Sequence, residues 1–435
     1  MRHARWGWRL GWALFLTGAG ASALSASPAA PPLVLHAARL LEVDSGRIVA
    51  PGEILIEGER IAAVGSPVRH PAGAEVIDLG DLCLLPGLID AHIHLFLHPG
   101  AEDLQTVQES VPQRTIVALL AAREDLLAGF TAERDMGTEG AGSADSAVRD
   151  AIDAGLYPGP RLRVSGNAID ILGGHEDANA FNPSQHVLSN ATYANTAEEL
   201  VLAIRAQHKE GSDFVKIYQT GPDQMRAGTL HTPFQYTVAQ LQAAVDEARR
   251  LGTTVSVHAT GEPAAGFAVE AGVASLEHAI QLSEATMRLM KERQIPAVPT
   301  LTWYEYFTTH SPTAAENRAA TELYEYKIRE FRKQVAAGIP MALGSDVGPF
   351  PHGTQAREFE LMVHFGMPPL AVLRADLLNG AKLLGWEGQI GALKAGYYAD
   401  IIAVAGNPLT DITTLQRVAF VMKGGVVAKR PPSAR

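Results

Sequence analysis

His92 and His94 stand two residues apart in Ala91-His92-Ile93-His94, directly after the apolar run Leu84-Leu85-Pro86-Gly87-Leu88-Ile89-Asp90. Such a run reads as a buried strand, and side chains at i and i+2 of a strand share a face. Two imidazoles on one face at a strand's end can hold one metal ion. Residues of suitable type recur at the ends of later predicted strands: Lys216, His258, His278 and Asp346. Four histidines and an aspartate make a nitrogen-and-oxygen donor set for a hydrolytic divalent metal, most simply zinc. Lys216 is the odd member, because a charged amine would repel a metal. Taken singly, each residue has a plainer explanation: a hydrogen-bonded core histidine, a surface lysine, a loop or cap aspartate. Six of them together at strand ends are hard to obtain by chance.

The elements that must position these residues alternate between strand and helix. Strands are predicted at Gly129–Arg134, Arg161–Val164, Asp213–Tyr218, Thr254–Val257, Ala274–Glu277, Ile295–Pro299 and Pro340–Leu343. With the first strand they number eight, and eight strands alternating with helices suggest an α/β fold of the (β/α)8 TIM-barrel type, whose strand ends converge on one face. Ile295–Pro299 is the least strand-like, since its two prolines cannot donate to a ladder. Thr237-Val238-Ala239-Gln240 has the form of a capping box, Val238, Leu241, Val245, Ala248 and Leu251 keep helical spacing, and Gly252 stands where a helix would end.

Both ends of the chain read as β-structure. Leu33–Leu35, Gly52–Gly58 and Arg60–Gly65 resemble in texture Ala399–Val404 and Val418–Met422. Neither end can bury both faces of its strands alone, so the two are expected to pair in one small composite β-sandwich. The expected organisation is a signal peptide at 1–26, sandwich segments at 33–83 and 388–430, and a hydrolase barrel at 84–387.

At 435 residues with 47% apolar content, a large barrel plus a smaller domain is feasible. The net charge of −11, with acids and bases interspersed, argues against a nucleic-acid surface. Arg2, Arg5 and Arg9 precede the apolar stretch Leu10 to Leu16, and small residues from Gly18 to Ala26 follow. This is the pattern of a secretory signal, which predicts a periplasmic or secreted protein with no stable membrane anchor after cleavage. Cys83 is the only cysteine, so no internal disulfide can form.

The six site residues, with Leu84–His92 and the stretch Gly391–Asp400, resemble the amidohydrolase superfamily. Asp213–Tyr218, Leu276-Glu277-His278 and Gly344–Gly348 are similar to its imidazolonepropionase-like branch, with Xaa-Pro dipeptidases and ochratoxinase-type amidases. The resemblance implies two zinc ions: His92, His94 and Asp346 hold the first, His258 and His278 the second, and N6-carboxylated Lys216 bridges them. It also implies attack by a bridging hydroxide, with Asp346 as ligand and proton shuttle. The expected substrate is a small amide, a dipeptide or an N-acyl amino acid. The alternatives are a lactonase, a cyclic-imidic hydrolase or a phosphotriesterase on the same site, and a non-enzymatic scaffold, which would have lost ligands. A homo-oligomer is expected.

Substrate contacts are less constrained by spacing. His175 follows the third strand and could bond the substrate carbonyl or a carboxylate, or have no role. Tyr218 shares a strand face with Lys216 and could bind a carboxylate, support the oxyanion, or merely pack. His98, His231 and His352 read as loop residues. Arg134 and Asp135 could pair beneath the site in a structural role. Trp303, Tyr304, Tyr306 and Phe307 line an apolar pocket or pack a loop.

Overall fold

The apolar run that reads as one strand is two strands meeting at Gly87. Leu82–Pro86 lies before it and Leu88–Ile93 after it. Gly87 has no room for a side chain, since a Cβ there would stand 2.1 Å from Thr131 Oγ1. The chain also changes partners here: Gly87 N donates to Asp400 O at 2.9 Å, and Leu88 N to Gly129 O at 3.0 Å. One side of the break therefore belongs to the sheet that joins the chain ends, and the other to the parallel strands of the middle. The computed structural model describes residues 31–177, 181–182 and 184–431; the expected signal peptide at 1–26 lies outside the described residues.

The two ends of the chain do pair. Leu82–Pro86 runs antiparallel to Ile401–Ala405 and parallel to Arg39–Glu42. Arg47–Val49 extends this sheet on one side, and Phe420–Lys423 with Val426–Lys429 on the other. A second sheet orders Arg60–Gly65, Gly52–Glu57, Leu33–Ala37 and Glu75–Asp78. One apolar cluster takes Leu35, Ile54 and Ile56 from that sheet and Leu84, Ile401 and Phe420 from the other. Arg47–Val49, Glu75–Asp78 and Val426–Lys429 do not stand out in the sequence because they are edge strands with at most one buried residue each, and Arg39–Glu42 because its burial does not alternate.

The middle of the chain is mixed α/β with parallel strands. Leu88–Ile93, Phe130–Asp135 and Arg161–Val164 form one parallel ladder. Ile169–Asp170, Val215–Tyr218, Val255–Ala259, Ser275–His278 and Ala297–Val298 follow one another in a second. Helices such as Ala197–Lys209, Val238–Arg250 and Glu284–Arg293 connect them. Val238–Arg250 buries Leu241, Ala244, Val245 and Ala248, and Thr237 with Gln240 closes the expected capping box. Gly252 adopts the left-handed φ of +77° just beyond the helix end. Among the described residues no helix is long and apolar enough to cross a membrane.

Two strand expectations are corrected. The seventh shrinks to Ala297–Val298, flanked by the non-donating Pro296 and Pro299. The eighth, at 340–343, forms no ladder; it touches its neighbours through single bridges, Met341 with Ala297, and further on Val347 with Ile93. Gly344 and Asp346 interrupt the extended path there. A Cβ on Gly344 would lie 2.4 Å from Val298 Cγ1, and Asp346 has a φ of +64°. The segment is nonetheless tied on both sides: Ala297 N donates to Pro340 O at 3.0 Å, Ala91 N to Leu343 O at 3.0 Å, and Asp346 N to His92 O at 2.8 Å.

Candidate metal-binding active site

Parallel strands and the bridged segment before Asp346 bring the predicted site residues to one cavity of about 330 Å³, lined by His92, His94, Lys216, His258, His278 and Asp346. Asp346 Oδ1 lies 3.4 Å from His92 Nε2 and 3.4 Å from His94 Nε2. One ligand atom from each of these three residues lies within 4.8 Å of the others, as a single ion would require. The His278 ring is 5.0 Å from that of His92 and 4.4 Å from that of His258. Lys216 reaches the same cavity from Val215–Tyr218, which pairs in register with Val255–Ala259.

The outward nitrogens of three histidines are already engaged. His92 Nδ1 stands 2.8 Å from Glu277 Oε2, His94 Nδ1 3.3 Å from Gly137 O, and His278 Nδ1 2.9 Å from Thr300 Oγ1. Partners of this kind hold a ring so that its other nitrogen faces inward. His92 Nε2, His258 Nε2 and Lys216 Nζ are buried with no hydrogen-bond partner. Burial drives His258 and His278 well below the usual histidine range, which leaves them neutral with a lone pair to donate. Burial opposes ionisation of Asp346, yet His92, then His94 and Lys216, hold its carboxyl below the usual carboxylate range. Orphaned inward nitrogens beside an ionised carboxylate fit a divalent metal, zinc included.

Lys216 is fully buried, and burial lowers its pKa against the opposing pull of Glu277 and Asp346. An unpaired ammonium there carries a desolvation cost of several kcal/mol. Non-glycine residues in left-handed conformation gather around the site: Glu139, His278, Ala279, Thr300 and Asp346 have φ between +45° and +68°. Such strain persists where surrounding contacts over-determine it, as at functional sites.

Arg134 and Asp135 do not pair. Neighbours on a strand point to opposite faces, and Arg134 turns inward to Glu277 Oε1 at 2.8 Å, Ser256 Oγ at 2.7 Å and Ala91 O at 2.7 Å. Asp135 instead accepts from Gly137 N at 3.4 Å. Glu277 thus links Arg134 to His92, a role that spacing alone did not reveal. Its only signal was an acid next to His278. Burial opposes ionisation of Glu277, but Arg134 and then His92 bring its pKa down to about 2. The stabilisation from that ionised group is fully present above the ordinary value of 4.5 and is lost as pH falls towards about 2. Glu277→Gln, which leaves Arg134 buried without its counter-charge, is expected to cost about 3–5 kcal/mol of stability. Thermal unfolding across that pH window checks it: the wild type should lose its advantage over the variant as pH falls. Lys327 was also missed; its Nζ donates to His278 O at 2.9 Å.

His175 and Tyr218 both reach the cavity, with stacked rings 5.1 Å apart, and the His175 ring is 4.2 Å from that of His258. Trp303 and Tyr304 line the cavity from helix Leu301–His310. Tyr306 stacks on His310 instead, and Phe307 packs against Trp303 and Tyr306. His98 pairs with Glu109 and His352 with Asp125, while His231 is exposed on Thr229–His231. None of these three lines the cavity.

Parallel strands that end in a candidate His-His-Asp metal site define a class of metal-competent hydrolase. The chain belongs to the amidohydrolase family, whose profile matches residues 83–428. It is 30% identical over 377 residues to ochratoxinase from Aspergillus niger, covering 80% of this chain and 76% of that protein. It is 24% identical over 422 residues to imidazolonepropionase from Shouchella clausii, covering 87% and 86% of the two chains. The crystal structure of a Xaa-Pro dipeptidase with methionine bound in its active site superposes with a TM-score of 0.82 at 30% identity, covering 91% of this chain and 99% of that one. These relationships make the protein a hydrolase acting on amide bonds.

Proposed function

We propose that this amidohydrolase is an exported binuclear zinc enzyme that splits dipeptides or N-acyl amino acids. One observation carries the reading: the unpartnered, buried Lys216 Nζ shares a cavity with the inward nitrogens of the four histidines and with Asp346. A free buried amine is the form that adds to carbon dioxide. The nitrogen bonds to the carbon, one proton leaves, and an anionic carbamate remains. His92, His94 and Asp346 would hold one ion, His258 and His278 the other, and the Lys216 carbamate both. When bound, the ions supply Lewis-acid polarisation of the scissile carbonyl and lower the pKa of the attacking water. Asp346 receives the proton this water gives up and delivers it to the departing amine nitrogen. His175 and Tyr218 bond the substrate carbonyl or its carboxylate, and Trp303 with Tyr304 provides an apolar wall.

The proposed scaffold is a closed eight-stranded barrel at 84–387 with a β-sandwich from 33–83 and 388–430. Hydrogen bonds on both sides of 340–347 support closure, and the apolar cluster shared by the two sheets supports the sandwich. The basic, apolar and small-residue order of 1–26 supports export to the periplasm or medium. Ile116 and Leu120, exposed one turn apart on Val111–Ala128, support a homo-oligomer.

The test is metal analysis joined to product analysis. About two divalent ions per chain are expected after zinc loading, with free amino acid released from Xaa-Pro, Xaa-Arg or N-acyl-Phe compounds. No release from any of them, with turnover of lactones or phosphotriesters, would replace the amide reading with that alternative. Less than one ion per chain would sink the binuclear centre.

A further inference from the structure

Beside His94, three carboxylates that the chemistry above does not use cluster at the edge of the cavity. Glu102 comes from helix Glu102–Gln108, Glu139 from the turn after Phe130–Asp135, and Glu176 from the loop after Ile169–Asp170. One oxygen from each lies within 4.8 Å of the others, and Glu102 and Glu176 line the same cavity as Lys216 and Asp346.

Among the described residues, no lysine or arginine forms an ion pair with any of the three. Glu139 Oε1 is 3.1 Å from His94 Nδ1, and Glu176 Oε1 is 3.6 Å from His175 Nε2. Arg114 gives its N–H groups to the backbone oxygens of Phe96, Thr138 and Glu139, not to a carboxylate. Conversion of Lys216 to a carbamate would place a further negative charge in this cavity.

Glu139 supplies an independent signal. It is fully buried and neither of its oxygens has a hydrogen-bond partner; the nearest basic group is His94 Nδ1, 3.1 Å from Oε1, which also lies 3.3 Å from Gly137 O. Buried acceptors without a donor are costly, and a charged group that brings several N–H donors removes that cost. Glu102 feels the same deficit: burial, then the Glu176 and Glu139 charges, hold its carboxyl well above its usual range.

We propose that Glu102, Glu139 and Glu176 form a subsite for a primary ammonium group of the substrate, so that amides bearing a free amine are preferred to neutral N-acyl compounds. An ammonium has three donors to offer three acceptors and forms charge-assisted bonds with carboxylates. It enters as part of the substrate, because two of the three acids face the cavity where the scissile bond would lie. This inference rests on the amide-hydrolase reading and narrows it.

The zinc-loaded enzyme tests it with matched substrates in proline and phenylalanine series. Alanyl and isobutyryl compounds differ by an α-ammonium against a methyl group. N-acetyl-lysyl and N-acetyl-norleucyl compounds differ at the side chain by an ammonium against a hydrogen. The amine-bearing member of at least one pair is expected to have a kcat/KM about tenfold higher, the scale of a hydrogen bond to a charged group. Which pair responds identifies the source of the ammonium. In Glu102→Gln and Glu176→Gln the ratio should fall towards one; Glu139 is left intact because it touches His94. No preference in either pair, or a preference that survives both variants, overturns the proposal. So does an extra divalent ion per chain that both variants lose. If no amide is cleaved, the amide-hydrolase reading fails separately, and calorimetric binding of the same compounds decides the subsite. Tighter binding of the amines that the variants abolish supports it; equal or absent binding overturns it.

Discussion

Lys216→Ala loses metal and amide hydrolysis together, with activity down by at least about a hundredfold. Even outer partners of metal ligands are worth 10- to 100-fold, and Lys216 is proposed to bridge both ions directly. Metal analysis and kcat on the same preparation check this. Full activity in the variant would refute the carbamate. Short carboxylic acids such as acetate and propionate should restore part of both readouts, since the truncated side chain leaves room for a carboxylate where the carbamate stood. Lys216→Met separates this role from a structural one. It fills the space with an apolar chain and removes a buried amine that has no hydrogen-bond partner. The metal-free variant should therefore melt no lower than the metal-free wild type, as replacement of buried polar groups by apolar ones of similar volume is often neutral or stabilising.

Asp346→Asn is expected to lower kcat by about a thousandfold, within the range for loss of general acid–base catalysis. The amide retains an oxygen beside His92 and His94, so the variant should keep more metal than Lys216→Ala does. What it loses is the carboxylate that accepts the water's proton and returns it to the leaving amine. The fall should appear in kcat more than in KM, because the group acts on the reacting atoms and not on substrate affinity. A variant with wild-type kcat at full metal occupancy would remove Asp346 from the proton path. The preceding residues make the position demanding: Ser345 Oγ donates to Asp90 Oδ2 at 2.5 Å, Ser345 N to Asp90 Oδ1 at 3.1 Å, and Asp346 itself is left-handed.

How much of this was legible in the chain depends on the reach of each interaction. His92 and His94 were legible because strand geometry puts i and i+2 on one face. The helix at Val238–Arg250 was legible because its capping box, apolar spacing and terminal glycine all lie within sixteen residues. The break at Gly87 was not, because both flanks are equally apolar and only contacts to Asp400 and Gly129 divide them. The eighth strand was predicted from its apolar composition. Local steric limits at Gly344 and the turn at Asp346 reduced it to bridges.

The sequence by itself determined which side chains are chemically able to bind metal and transfer protons, and that they stand at strand ends. Residue type and short-range periodicity are sufficient for that. Only the tertiary structure decided which groups meet across long separations. Glu277 reaches His92 from 185 positions away, Arg134 turns to Glu277 from 143 positions away, and Lys327 reaches the His278 carbonyl. Three acids from three separate segments gather beside one cavity, and two of them line it. No local pattern encodes these meetings, because they follow from how parallel strands stack their ends side by side, and this stacking is set by burial of the whole core.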